Sequence, residues 1–273
     1  MADGGLADLV APVSRRDADG ASRAEPPRLG GRLVELAGWL ATAQGGEAPR
    51  PLARIRVVLP GESIPPGLSE LCDLVGAGLA AAKLPEGPAE NLARGGVALA
   101  DAEADAGTDL LVASSPYEVP NIAVSALVGL LATKDASLVT DAGLDDATWM
   151  VACAQVRDEM RRVRPVLADQ LALLDALRMN ETAYLAGLLL GAAARRTPVL
   201  LDGVLAAAAA LIAQRASFRA VDWWLAGDLS THPAHALALQ RLSLVPLTEL
   251  AGPPSATGLG LLAVPLLRAA AIT

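Results

Sequence analysis

The feature that most constrains this chain is an alternation. Short runs of β-branched and aliphatic residues recur, each closed by a Pro, Gly or Asp break, and helical stretches lie between them. "RIRVVLPGES" carries one run at Ile55–Leu59, "GTDLLVASSP" a second near Thr108–Ala113, and "PVLLDG" a third at Pro198–Gly203. "RAVDWWLAGDLS" and "LVPLTEL" add two more. Apolar runs without polar alternation are strands covered on both faces, and the helices between them act as crossovers. The expectation is an α/β fold with a mainly parallel sheet.

The helical segments follow from spacing and punctuation. "GRLVELAGWLATAQG" places Leu33, Leu36, Ala37 and Leu40 on one face and ends at Gly45-Gly46. "GLSELCDLVGAGLAAAKLPEG" reads as one helix stopped by Pro85 and Gly87, and the next starts near Asn121. Asp145-Asp146 marks a further start, followed by "ETAYLAGLLLGAAARRT", "VLAAAAALIAQRA" and "AHALALQRL". Residues 1–24, small and charged with no period, are expected to be a flexible arm before a domain spanning 25–273. In such sheets ligands sit at the carboxyl ends of the strands. The loops to watch are therefore Pro60–Ser63, Ser114–Asn121, Asp202-Gly203, Gly227–Ser230 and Gly252–Gly260.

Composition narrows the partners. A net charge of −8 argues against nucleic acid or an anionic membrane surface. Hydrophobic content is 53% with only 3% aromatic, so the core must be built from Leu, Val and Ala, with helices packed closely. Cys72 and Cys153 are isolated, with no CxxC pair, which points to a reduced, cytoplasmic setting. The opening residues show no signal-peptide pattern. The uncharged run Leu250–Leu267 is long enough to span a bilayer, but Pro253, Pro254, Pro265 and three glycines break it.

Three C-terminal blocks carry a resemblance. "LAGLLLGAAARRTPVLLDGVLAAAAALIA", "WWLAGDLSTHPAHALALQRLSLVPLTEL" and "ATGLGLLAVPLLRAAA", in this order and spacing, resemble the nicotinate-nucleotide:dimethylbenzimidazole phosphoribosyltransferases of cobalamin nucleotide-loop assembly. "EPPRLGGRLVELAGWLATAQG", "GTDLLVASSPYEVPNIAVSALVGLLA" and "GLDD" at Gly143–Asp146 agree more loosely. The resemblance covers roughly residue 26 to the end. It implies a three-layer α/β/α fold with a Rossmann-like sheet. A small helical subdomain would come from about 25–50 and the C-terminal helices, and the chain would form a homodimer. It also implies transfer of phosphoribosyl from nicotinate mononucleotide to 5,6-dimethylbenzimidazole or a related aromatic base, with a carboxylate as general base and glycine-loop amides on the phosphate. It implies no cofactor and no metal.

The sequence departs from that family where the chemistry sits. Aligning Thr257-Gly258 with the family's C-terminal "L-G-E-G-T-G-A" loop puts Ser255 at the position of its glutamate, and serine has no useful basicity at neutral pH. The loop resembling "G-E-M-G-I-G-N-T-T" keeps Asn121 but has Pro116 for the acid and Pro120 for a glycine. Between Lys83 and Asn91 a family segment is missing. Glu118, displaced by two residues, and Glu181 are the candidate replacement carboxylates. Ser114, Ser115, Asn121, Asp202, Gly203, Ser230, Ser255, Thr257 and Gly258 are the candidate substrate-binding residues.

Several of these positions also have plain structural readings. Asp202 can cap the next helix, and Ser114-Ser115 can simply end a strand. His232 and His235 lack a third ligand for a metal. Trp223-Trp224 can stack a base, but one of the pair is expected on each face of a strand. Three functional readings stay open: a phosphoribosyltransferase; an inactive homologue that binds a nucleotide or base, or regulates an active paralogue; or a family member with unrelated chemistry in the same crevice.

Overall fold

The computed structural model describes residues 5–16, 31–115 and 121–272. Six strands form one sheet: β1 (Ile55–Pro60), β2 (Gly78–Ala82), β3 (Leu110–Ser114), β4 (Val199–Asp202), β5 (Trp224–Asp228) and β6 (Pro246–Thr248). Their order is β2-β1-β3-β4-β5-β6, and every neighbouring pair is parallel. The chain runs outward from β1 to β2, then returns past β1 to β3. That reversal is the switch point at which open parallel sheets leave a crevice beyond their strand ends.

Ten helices flank the sheet among the described residues. These are α1 (Arg32–Ala43), α2 (Leu68–Val75), α3 (Ala89–Asp105), α4 (Asn121–Ala132), α5 (Asp146–Val163), α6 (Gln170–Leu177), α7 (Asn180–Ala194), α8 (Val204–Ala216), α9 (Pro233–Leu242) and α10 (Val264–Ala270). Strand alternation divides the core in two. Ile55, Val57, Leu59, Leu110, Val112 and Leu200 meet Leu36 and Leu40 of α1, Leu68 and Cys72 of α2, and Val264 and Leu267 of α10. The terminal helices α1 and α10 thus share one core with the sheet. Val58, Leu111, Ala113, Val199 and Leu201 face the other way, onto the apolar surfaces of α3, α4, α7, α8 and α9. Helices cover both faces, so the architecture is the three-layer α/β/α sandwich with a parallel sheet that the alternation predicts.

Small residues make this packing possible. A Cβ on Gly187 of α7 would lie 2.0 Å from the Ala93 carbonyl oxygen of α3, and one on Gly96 of α3 would lie 2.0 Å from that of Tyr184. The two helices touch backbone to backbone, which is how a core with almost no aromatic residues reaches interior density.

Three local expectations are corrected. The segment 67–87 is not one helix: α2 stops at Gly76, which takes φ +61° as a left-handed cap, and Gly78–Ala82 becomes edge strand β2. Pairing with β1 overrides the helix propensity of its alanines. Trp223 and Trp224 do not straddle a strand. Trp223 ends a 3-10 turn (Phe218–Trp223), Trp224 opens β5, and both are buried in the same core. Finally, residues 5–16 do not lie free. Leu6 and Val13 are buried against the α3/α7/α8 side, and Trp223 Nε1 donates to the Ser14 carbonyl at 3.2 Å.

Candidate active site

The carboxyl ends of the strands assemble around one buried carboxylate. Ser114 and Asp202 are register partners across β3 and β4, and the Ser114 hydroxyl donates to Asp202 Oδ2. The same oxygen accepts from the Gly258 amide at 2.9 Å, and Oδ1 accepts from the Gly260 amide at 2.8 Å. Asp202 therefore does not cap α8; it clasps the C-terminal loop to the centre of the sheet. Burial pushes its carboxyl above the usual range, against the lowering effect of Ser114 and the two amides.

This clasp fixes the glycines of "TGLG". Gly258 sits at φ +89°, and a Cβ there would come within 2.9 Å of Leu68. A Cβ on Gly260 would meet Asp202 Oδ1 at 2.8 Å, and one on Gly227 would meet the Gly260 Cα at 2.7 Å. The loop then enters a 3-10 turn (Leu259–Ala263) and α10, with Leu261 and Val264 buried. The uncharged run Leu250–Leu267 is thus a glycine turn opening into a buried helix.

Ser115 takes a second fixed role. Its hydroxyl accepts from the amides of Leu205 at 3.0 Å and Ala206 at 3.2 Å, so it caps α8 from the neighbouring strand. Gly203, at φ +91°, immediately precedes that helix as its N-cap and leaves room for the hydroxyl, which a Cβ would approach to 2.6 Å. Two of the amides that would otherwise hold an anion at this helix start are thereby occupied.

The β5 end is tied down in the same way. Asp228 Oδ1 accepts from Thr248 Oγ1 at 3.0 Å and from the Leu250 amide at 2.8 Å, and the Thr231 amide reaches the Gly252 carbonyl at 2.9 Å. The Ser230 amide donates to His235 Nδ1 at 3.1 Å, with the Ser230 hydroxyl 2.9 Å from the same atom. His232 caps α9, its Nδ1 accepting from the Ala234 amide at 3.1 Å. An accepting Nδ1 makes both rings neutral with the proton on Nε2. Burial lowers both pKa values, that of His235 to about 4. His232 Nε2 is buried without a partner. Among the described residues no three His, Cys, Asp or Glu side chains gather as a metal site.

The structure thus brings Ser114, Ser115, Asp202, Gly203 and Gly258 together, with Ser230 on the adjoining loop. Ser255 lies apart from them, exposed on the turn before the clasp, and Thr257 is half-buried beside it. Asn121, exposed, begins α4, and Glu181, half-buried, lies in the first turn of α7. Helix α7 leads into the start of β4, so its first turn stands at the crevice end of the sheet. Glu118 falls outside the described residues, as do Pro116 and Pro120. Gly260 and Asp228 lie in loops that the sequence singles out but are not among its candidate residues, and Thr248 lies outside both. Gly260 was legible from its spacing to Gly258; the other two become site residues only through β5–β6 pairing.

Comparisons with known proteins identify the family and support the fold. A family model described as "Phosphoribosyltransferase" matches residues 81–273. The nicotinate-nucleotide–dimethylbenzimidazole phosphoribosyltransferase of Streptomyces avermitilis is 41% identical over 319 positions, covering 94% of this chain and 85% of the relative. Its counterpart from Streptomyces coelicolor is 46% identical over 186 residues, 67% of this chain and 52% of that protein. The first alignment spans 319 positions against 273 residues here, so at least 46 positions of that relative have no equivalent in this chain. A solved structure titled CobT from Thermus thermophilus superposes with a TM-score of 0.78 at 24% identity, over 93% of this chain and 94% of that one, and supports the fold. Matched by the family model through its C-terminal two thirds, and by a 41%-identical relative through nearly its whole length, the chain belongs to the nicotinate-nucleotide–dimethylbenzimidazole phosphoribosyltransferase family.

Proposed function

We propose that the chain binds nicotinate mononucleotide in the crevice beyond β1, β3 and β4 and passes its phosphoribosyl group to dimethylbenzimidazole or a related aromatic base. The azole nitrogen attacks the anomeric carbon, nicotinate leaves, and a carboxylate takes the azole proton. The observation that carries this reading is the strand order, whose reversal between β1 and β3 places a switch point where parallel sheets hold ligands beyond their strand ends. The names of the relatives supply the substrates.

Ser255 supplies no base. Asp202 and Asp228 have their carboxylates turned to loop amides and hydroxyls, which makes them positioning residues. The proton acceptor in this proposal is Glu118 or Glu181, and the working unit is a cytoplasmic homodimer. A second reading is favoured by the exposed Ser255 and by Ser115 occupying the α8 amides: a homologue that binds a nucleotide or base without turnover, beside an active paralogue. Nicotinate release from nicotinate mononucleotide plus dimethylbenzimidazole, followed by chromatography, separates the two. Turnover that disappears in Glu118→Gln or Glu181→Gln supports the first. Saturable binding without release, at enzyme concentrations near those of substrate, replaces it with the second.

A further inference from the structure

A cavity of about 850 Å³ lies at the opposite edge of the sheet, where β3, β4 and β5 begin. Roughly 15 Å of strand, at about 3.3 Å per residue, separates it from Ser114 and Asp202. Five arginines line it, Arg15, Arg16, Arg50, Arg195 and Arg196, against two acids, Glu47 and Asp109.

The partners of these groups leave a surplus of donors. Asp109 Oδ2 already accepts from the amides of Ala53 and Arg54, at 2.9 and 2.8 Å. Arg195 is engaged by Asp101 and Asp105. Helices α1, α3 and α7 end at this edge, and cations near carbonyl ends are favourable in their own right. Arg16 Nη1 donates to the Trp39 carbonyl and Thr42 Oγ1, and Arg50 Nη2 to the Gln44 carbonyl at 3.3 Å. These bonds use few of the five N–H groups each guanidinium carries. Arg196 spends Nε alone, on Ser14 Oγ at 3.1 Å. Arg15 has no hydrogen bond or ion pair among the described residues, and Arg16 Nε is buried without a partner. The ion pairs among the described residues belong to other arginines, so among those residues Arg15, Arg16, Arg50 and Arg196 have no carboxylate within bonding range. Such a concave wall of unmatched guanidinium donors, in a chain of net charge −8, suits a multidentate oxyanion.

We propose that this cavity binds a small phosphorylated metabolite through its phosphoryl group. Arg15, Arg50 and Arg196 supply the donors, and Arg16, stacked 5.3 Å from the Trp39 ring centroid, forms the fixed floor. The volume falls in the range of small-molecule pockets. The inference does not depend on the activity proposed above, because none of these residues belongs to the crevice.

Titration calorimetry on the full chain at low salt tests it, with inorganic phosphate, pyrophosphate and AMP as probes against wild type, Arg50→Ala and Arg196→Ala. Both side chains are exposed, and thermal denaturation without ligand checks that each variant is folded. The expected result is one saturable site, with AMP bound more tightly than phosphate and each substitution weakening it about tenfold, the loss of a charge-assisted hydrogen bond. Phosphate binding as tight as AMP would assign the cavity to the free ion and overturn the metabolite reading. No saturable binding at millimolar probe, or binding unchanged in both variants, would overturn the site itself.

Discussion

The two histidines give the sharpest test of how the crevice side of the fold is held. His235 is 1% exposed, and its ring accepts at Nδ1 from the Ser230 amide. Protonation would put a charge in an apolar interior and turn that acceptor into a donor facing a donor. Burial, with His232 adding to it, moves the ring from the unperturbed 6.5 to about 4. A folded pKa below the unfolded one means the folded chain binds its proton later, so stability is whole above about pH 6.5 and declines as pH falls towards 4. At about 1.36 kcal/mol per pH unit, His235 alone removes about 3 kcal/mol in the limit, most of it already lost by pH 4.5. His232, lowered by burial, adds in the same direction; Asp202, raised, gains stability on protonation and opposes it. Urea unfolding at pH 7 and 4.5 measures the loss, and His235→Gln should flatten it. Because the chain has only two histidines, ring proton NMR reads both directly. A His235 signal titrating near 6.5 in the folded protein would refute the argument.

Two substitutions test the clasp. Asp202→Asn should lower stability by about 1–3 kcal/mol in denaturant unfolding, because an amide nitrogen would then face a backbone N–H; a variant as stable as the wild type would mean that the clasp does not hold the loop to the sheet. Gly260→Ala, with its Cβ placed 2.8 Å from Asp202 Oδ1, should cost about 1–3 kcal/mol through overpacking and loosen the loop, read as faster proteolysis between Leu250 and Leu259. Unchanged proteolysis would show that the loop is held elsewhere.

Much of the fold was legible because its signals are local. "PVLLDG" and "DLLVAS" are apolar without alternation, and that pattern belongs to strands covered on both sides. Asp145 announced α5, and its side chain does accept from the amides of Ala147 and Thr148. "GLAAA" misled because an edge strand of alanines is made a strand by its neighbour β1, not by its own propensities. The site was less legible for a similar reason. Asp202 and Ser115 could be named as polar residues at strand ends, but which backbone groups they hold is set by β3 and β4 lying side by side and by a loop more than fifty residues downstream.

That last point bears on how the C-terminal loop should be read. Thr257 and Gly258 resemble part of a family loop that presents a carboxylate, and with Gly260 beside them the likeness looks at first like retained catalysis. The structure gives each glycine a reason that involves no substrate: left-handed backbone against Leu68 at Gly258, and contact with Asp202 and Gly227 at Gly260. Asp202 in turn is needed by the amides it accepts from. A chain that had given up transfer would still have to keep all of them to close its sheet onto α10. Ser255 stands outside this set, exposed on the turn before the clasp, with no such packing role to hold it. Persistence of the glycines therefore weighs on the fold, and the identity of the group near Ser255 weighs on the chemistry.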